Sequence, residues 1–333
     1  MGYKKGMKDL YERLSEVGFD RSFLIKTVLP DWWDDSLAEN PADRAIAEFA
    51  VARQLGFSLE SLSDPNSGLR LELAEHCRLK RSKTVKDVRE LAPAMAVARR
   101  ISQLLAKSLK QLPEFPADIT QSEARAEILR RENQVDLRGL LDLCWGLGIV
   151  VFHIARLPKK TKKFQGIAMT CEGRPYIGLS FGSDSPPWLA FHLAHELCHV
   201  LLKHLTGPSE LLVDEEITQG AEDEQELETD EAAGNLLIGR DRPDIDFIGR
   251  WKPDELARVA TAYAAECNAN VGSIILYYGK ERGDWTTAQL ALRIVGEHTG
   301  ALQMIRNYLQ RNLIDDIPET TARFLSGVLQ IDI

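Results

Sequence analysis

The chain has 333 residues, 44% of them hydrophobic and 27% charged, and a net charge of −9. That length suggests about two or three domains with proper cores, and the composition excludes a fibrous, low-complexity or wholly disordered protein. Five cysteines with no CxxC pair argue against a disulfide framework and fit a reducing cytoplasm.

Residues 1–8 lack the apolar run of a signal peptide, and the longest apolar stretch, 143–155, is too short to span a bilayer. The expected location is therefore cytoplasmic, with no membrane partner. Residues 1–112 read as a helical N-terminal region. Helices are predicted over 20–29 and 41–55, with starts at Asp20 and Asn40 and stops at Gly18 and Gly56. Trp32 and Trp33 are expected as core anchors. Phe23, Leu24, Ile25, Val28, Leu29, Ile46 and Phe49 have the spacing of a small helical core, so a helix-turn-helix-like bundle is predicted. Residues 59–69 read as a loop, and 84–110 as helix restarting at Pro93.

Charge is uneven. Between residues 77 and 112 there are ten Lys and Arg against Asp87 and Glu90. This basic stretch, 78–110, has the character of a phosphate-backbone contact, which makes single-stranded DNA or another nucleic acid a candidate activator. The alternative is a set of solvated helix faces, and the absence of interleaved aromatics weakens base stacking. Residues 205–239 carry the opposite bias, eleven acidic residues and no Lys or Arg. Pro113 and Pro116 mark a linker.

Residues 117–240 read as a compact α+β unit. β-rich segments at 148–154, 166–170 and 176–181 predict a small antiparallel sheet, with Cys171-Glu172-Gly173-Arg174 turning the last two into a hairpin. Next comes His195-Glu196-Leu197-Cys198-His199 in a breaker-free apolar stretch that opens with Pro186-Pro187. Histidines four apart on a helix share one face and can offer two imidazole nitrogens to one zinc ion. Glu196, one step round, is placed to act as general base on water. A catalytic zinc needs a third protein ligand. Downstream, Glu228, Ala232 and Leu236 share a helical stripe, which points the Glu228 carboxylate inward. Glu224 lies on that stripe a turn earlier, while Glu226 and Asp230 point elsewhere. Asp230 is a candidate hydrogen-bond partner for a ligand histidine. His192 is expected near the metal's surroundings or the substrate, or simply packed.

These residues resemble the ImmA/IrrE metallopeptidases. His195 to His199 with His204 is similar to that family's HELGHxxxxH element. Glu226-Leu227-Glu228-Thr229-Asp230-Glu231-Ala232-Ala233-Gly234-Asn235-Leu236-Leu237-Ile238 is similar to its ExEADxFAxxLLxP segment. Cys198, Ala232 and Gly239 depart from the usual residues. The resemblance sets Glu228 at the third ligand position. It implies a zincin-like core flanked by helical regions, zinc bound by His195, His199 and Glu228, and Glu196 as base. It also implies regulated cleavage of one partner protein, a helix-turn-helix repressor encoded nearby, when DNA damage or phage infection is sensed. The long N-terminal region suits the CapP-type peptidases that accompany anti-phage systems. In zinc peptidases an edge strand beside the motif helix holds the substrate as an added strand, and 176–180 is the candidate edge. A thiolate at the zinc's open position would hold such an enzyme latent; Cys171, at the hairpin, is the candidate. The competing readings are a helix-turn-helix DNA-binding regulator, or an antitoxin, with a metal-binding domain that does not cut. Residues 241–333 are predicted as a helical C-terminal region packed on the core, with helices over 253–268, 271–278, 287–298, 301–312 and 318–329.

Overall fold

The structure, a computed structural model, describes residues 7–64, 68–69, 71, 77–79, 90–116, 118–159, 161–180, 182–205, 207, 211–214, 224–240 and 251–333. The N-terminal helices are α1 (Met7–Glu16), α2 (Arg21–Phe23) running into a π-helical turn (Leu24–Val28), α3 (Pro41–Leu55) and α4 (Leu59–Ser63). A short strand β1 (Cys77–Leu79) and α5 (Ala92–Leu105) follow. The central part comprises α6 (Gln121–Leu129), α7 (Leu137–Gly146), β2 (Val150–His153), β3 (Gly166–Cys171), β4 (Arg174–Leu179), α8 (Pro186–Leu201), β5 (Leu211–Asp214) and α9 (Glu224–Ile238). Then come α10 (Pro253–Cys267), α11 (Val271–Arg282), α12 (Trp285–Ile294), α13 (Ala301–Asn312) and α14 (Glu319–Leu329). The protein is α+β and mostly helical, as expected.

Local signals account for most boundaries. The Asn40 side chain accepts from Ala42 N, Pro41 opens α3, and Gly56 at φ 78° closes it. Thr120 and Glu123 form a capping box on α6, and Asp136 accepts from Gly139 N on α7. The hairpin turn between β3 and β4 places Glu172 and Gly173 at φ 52° and 76°, the two positive values a tight type I′ turn requires. The helix restart at Pro93 is seen in α5, whereas residues 80–89 lie outside the described set.

The sheet is larger than expected and mixed, not antiparallel. Its order among the described residues is β1-β5-β3-β4-β2. The hairpin β3–β4 and the pair β3–β5 are antiparallel, while β2–β4 and β1–β5 are parallel. Alternate side chains feed two cores. Val150, Phe152, Ile167, Met169 and Tyr176 face one that contains the N-terminal helices; Val151, Ala168, Ile177 and Leu179 face one built on α7 to α12. Two-sided burial explains why these strands read as continuous apolar runs.

Two expectations for the N-terminal region need correction. Trp33 is buried, but Trp32 is 56% exposed, and Ile46 and Phe49 also face outward. Helix α3 turns Ala47, Val51 and Leu55 to the core instead. The C-terminal helices are shared between the two cores. Helix α14 packs with Phe324, Leu325 and Val328 into the N-terminal core. Its start and middle are tied there: Gln54 Nε2 donates to the Thr320 carbonyl (2.9 Å) and Arg323 to the Ile25 carbonyl (3.1 Å).

Gly148 ends the turn from α7 into β2 at φ 74°, and a Cβ there would lie 2.1 Å from the Pro113 carbonyl oxygen. Arg174 donates to both the Pro113 and Gly148 carbonyls, which pins the linker to the sheet. Gly148→Ala is therefore expected to cost roughly 2–4 kcal/mol, combining left-handed strain with a backbone clash. Calorimetry would register this as a fall of several degrees in Tm.

Candidate metallopeptidase site

Helix α8 carries the motif. Of its sixteen residues thirteen are buried, including His195, Glu196 and His199. It packs between the sheet and α7, α9 and α11. Burying three ionisable side chains in one helix turn costs free energy unless each has a partner, and the surrounding elements supply them.

The two imidazoles converge, with His195 Nε2 and His199 Nε2 3.2 Å apart. Glu226, in the first turn of α9, brings one carboxylate oxygen to 3.4 Å from His195 Nε2 and the other to 3.5 Å from His199 Nε2. Together the three offer ligand atoms that all lie within 4.8 Å of one another. The far nitrogens are held from behind. His195 Nδ1 is 3.1 Å from Asp230 Oδ1, and His199 Nδ1 is 2.9 Å from His204 Nδ1. With Nδ1–H donating to Asp230 and to His204, each Nε2 turns a lone pair toward the other and toward the Glu226 carboxylate. Three electron-rich donors facing one buried point repel each other unless a cation lies between them. Two imidazoles and one carboxylate suit zinc, so the residues present fit that ion.

The carboxylate that meets the two imidazoles differs from the expected one. Glu228 is 60% exposed at its side chain and sits 3.5 Å from His204 Nε2, away from the convergent nitrogens. Helix α9 meets the α8 histidines through Glu226, Thr229 and Asp230, an i, i+3, i+4 set on one face, and Glu228 lies outside it. Spacing could have revealed this, because Glu226 and Asp230 share a face. Ala232 and Leu236, on the stripe that selected Glu228, are buried in the hydrophobic core. Glu228 instead ends a chain from His199 through His204. Thr229, fully buried, has its hydroxyl 3.4 Å from the Nδ1 atoms of both those histidines.

Asp230 is the hinge of a second chain. Its other oxygen accepts from Lys280 Nζ at 2.9 Å, and Lys280 also lies over the Phe191 ring. Burial alone would raise the Asp230 pKa; the hydrogen bond with His195 and the Lys280 charge overcome this and hold it well below the usual carboxylate range. The pairing of Asp230 with a ligand histidine was expected; Lys280, from α11, was not. Outer partners of this kind typically govern metal affinity by about 10–100-fold. Asp230→Ala is therefore expected to weaken zinc binding by roughly that factor, and Lys280→Met by less. Competition against a chromogenic chelator measures both.

Other candidates fall elsewhere. His192 stacks on Trp188 (6.2 Å, 16°), which in turn packs on Trp285, and it lies outside the convergent ligand group. Cys171 is at the far end of β3, hydrogen-bonded with Ser102 of α5 in the other core, and burial pushes its thiol up. Both placement and protonation count against a zinc-blocking thiolate. Strand β4 pairs on both sides, with β2 and β3, so 176–180 is no substrate edge. Five of the ten basic residues of the stretch, Lys80, Arg81, Lys83, Lys86 and Arg89, lie outside the described residues; of the others, Lys110 donates to the Arg311 carbonyl and Arg100 is half-buried. A cleft of about 230 Å³ beside Asp230, lined by Phe191, Leu227, Leu237, Tyr277 and Lys280, is large enough for one side chain but small for a free metabolite.

No helix among the described residues is long and apolar enough to cross a membrane. No curated protein matches the chain. Residues 144–269 match the model of Peptidase_M78, the IrrE N-terminal-like domain. That segment runs from the end of α7 through α10 and contains His195, Glu196, His199 and Glu226. The protein thus carries, over residues 144–269, a domain of the IrrE N-terminal-like kind that defines Peptidase_M78.

Proposed function

We propose that the protein is a zinc-dependent endopeptidase that makes a limited, regulated cut in one partner protein. We infer that the partner is a helix-turn-helix repressor encoded nearby and that cleavage answers stress, DNA damage or phage infection. The observation that carries the peptidase reading is the convergence of His195, His199 and Glu226 on one buried point, with Glu196 on the same helix turn. A purely structural metal site would have no use for that adjacent acid. Selective action is supported by the sheet: β3, which runs against Glu196, is paired on both sides, so an extended peptide finds no ready edge beside the acid.

His195, His199 and Glu226 would hold the zinc, which when bound supplies Lewis acidity to water and to the peptide carbonyl. Asp230 and His204 keep the two imidazoles in the tautomer that turns Nε2 inward. Glu196 takes the proton of the attacking water and passes it to the departing amine nitrogen. The buried setting of α8 keeps bulk solvent away from this exchange.

The test is incubation of the zinc-loaded protein with the repressor-like protein encoded beside its gene, with and without single-stranded DNA, and with zinc stripped by a chelator. Cleavage at one bond that disappears on stripping supports the reading. A DNA requirement assigns a role to the basic stretch. Stoichiometric zinc with no cleavage in any condition favours the regulator or antitoxin reading instead.

A further inference from the structure

Gly166, the first residue of β3, has no side chain where the Glu196 side chain arrives. A Cβ added there would lie 2.2 Å from Glu196 Oε1, 2.6 Å from its Cγ and 2.7 Å from its Cδ. Those separations are far inside van der Waals contact, so the acid occupies the volume that any other residue's Cβ would fill. The φ of Gly166 is not positive, so the backbone conformation alone does not call for glycine here. The space does.

Neither backbone can easily move aside. Gly166 pairs with Leu179 of β4 and with Asp214 of β5, so β3 is held from both flanks. The approach to it is fixed as well: Ser180 N donates to the Gln165 carbonyl at 3.1 Å, and the Ser180 hydroxyl donates to the Phe164 carbonyl. On the other side, Glu196 sits mid-helix in α8, which buries Leu193, Leu197 and Val200 in the core. What can yield is the end of the Glu196 side chain, and its position is the property that proton transfer needs.

We propose that Gly166 is a positioning residue for Glu196: the absent Cβ forms the slot that seats the general base beside the metal ligands. The inference rests on the peptidase reading above. Any substitution at this position that adds a side chain rotates the carboxylate out of place while the ligand set, on the opposite contacts of α8 and α9, stays intact. Proton transfer depends on sub-ångström placement of the base, so a single methyl group is expected to act like loss of the acid itself.

The test is a double-mutant cycle of Gly166→Ala with Glu196→Ala on the full chain loaded with cobalt(II), using acetohydroxamate as probe. This chelator binds the metal and gives its proton to a neighbouring carboxylate, so its affinity, read from the visible spectrum, reports where the base sits. Expected are retained cobalt in all four proteins, a fall of about tenfold in acetohydroxamate affinity for each single variant, and no further fall in the double variant. Thermal unfolding gives the second reading. The loss of Tm caused by Gly166→Ala in the Glu196 background should vanish in the Glu196→Ala background, where the clash has no partner. If Gly166→Ala alone fails to fold, folding of the double variant supports the assignment in the same way. Additive affinity losses, unchanged affinity in Gly166→Ala, or equal destabilisation in both backgrounds would overturn the assignment. Failure of the wild type to retain cobalt would overturn the metallopeptidase reading, which the other results leave standing.

Discussion

Glu226→Ala is expected to abolish stoichiometric zinc binding, whereas Glu228→Ala leaves it near the wild-type level. Both oxygens of Glu226 lie within 3.5 Å of the convergent imidazole nitrogens. Removing it leaves two neutral ligands and no anion to balance a divalent charge. The loss should exceed the roughly 10–100-fold that an outer hydrogen-bond partner costs. Glu228 acts only at the end of the chain His199–His204–Glu228, with its side chain largely in solvent. Its removal should change zinc affinity by less than about tenfold. The pair is discriminating because the residues are two apart in one acidic run and a non-specific electrostatic effect would treat them alike. Metal content after gel filtration, followed by competition titration, reads the difference. Equal loss in both variants, or loss with Glu228→Ala alone, would mean that α9 sits in another rotation about its axis than the one seen.

Glu196→Gln separates chemistry from binding. The amide keeps the shape of the acid and the contact with Gly166 but cannot accept a proton from water. General-base removal costs about 10²–10⁴-fold in rate, and here the expected fall lies toward the upper end because the site is buried and, among the described residues, the neighbouring carboxylates are engaged: Glu226 with the imidazoles and Asp230 with His195 and Lys280. Zinc stoichiometry and Tm should stay close to wild type, since Glu196 lies outside the convergent ligand group. The loss should fall on kcat with KM little changed. A variant that cuts at the wild-type rate would mean that Glu196 is not the base. A variant that also loses zinc would mean that the carboxylate is a ligand, contrary to the geometry.

How far the residues alone carry this result varies by element. The pentapeptide His195 to His199 identifies itself because helical geometry is local: residues four apart must share a face wherever the helix lies. The helices α3 and α13 and the β3–β4 turn are likewise legible, since caps, a positive-φ glycine and alternation act over a few residues. The mixed sheet was not, because β1 and β5 are three and four residues long and gain their place only by pairing with strands far away in sequence.

The metal site shows the same division. The chain by itself determined that two imidazoles and an adjacent acid share one turn of α8, and that a carboxylate-rich helix follows. Only the tertiary structure decided which carboxylate is used, because that depends on how α9 is rotated against α8, and the rotation is set by burying Thr229, Ala233, Leu236 and Leu237 together. It also decided that Lys280 backs Asp230, that His204 backs His199, and that Gly166 lies under Glu196. The Lys280 and Gly166 contacts join elements distant in sequence, fixed by packing two cores on either side of one sheet, whereas His204 reaches back from the turn that ends α8.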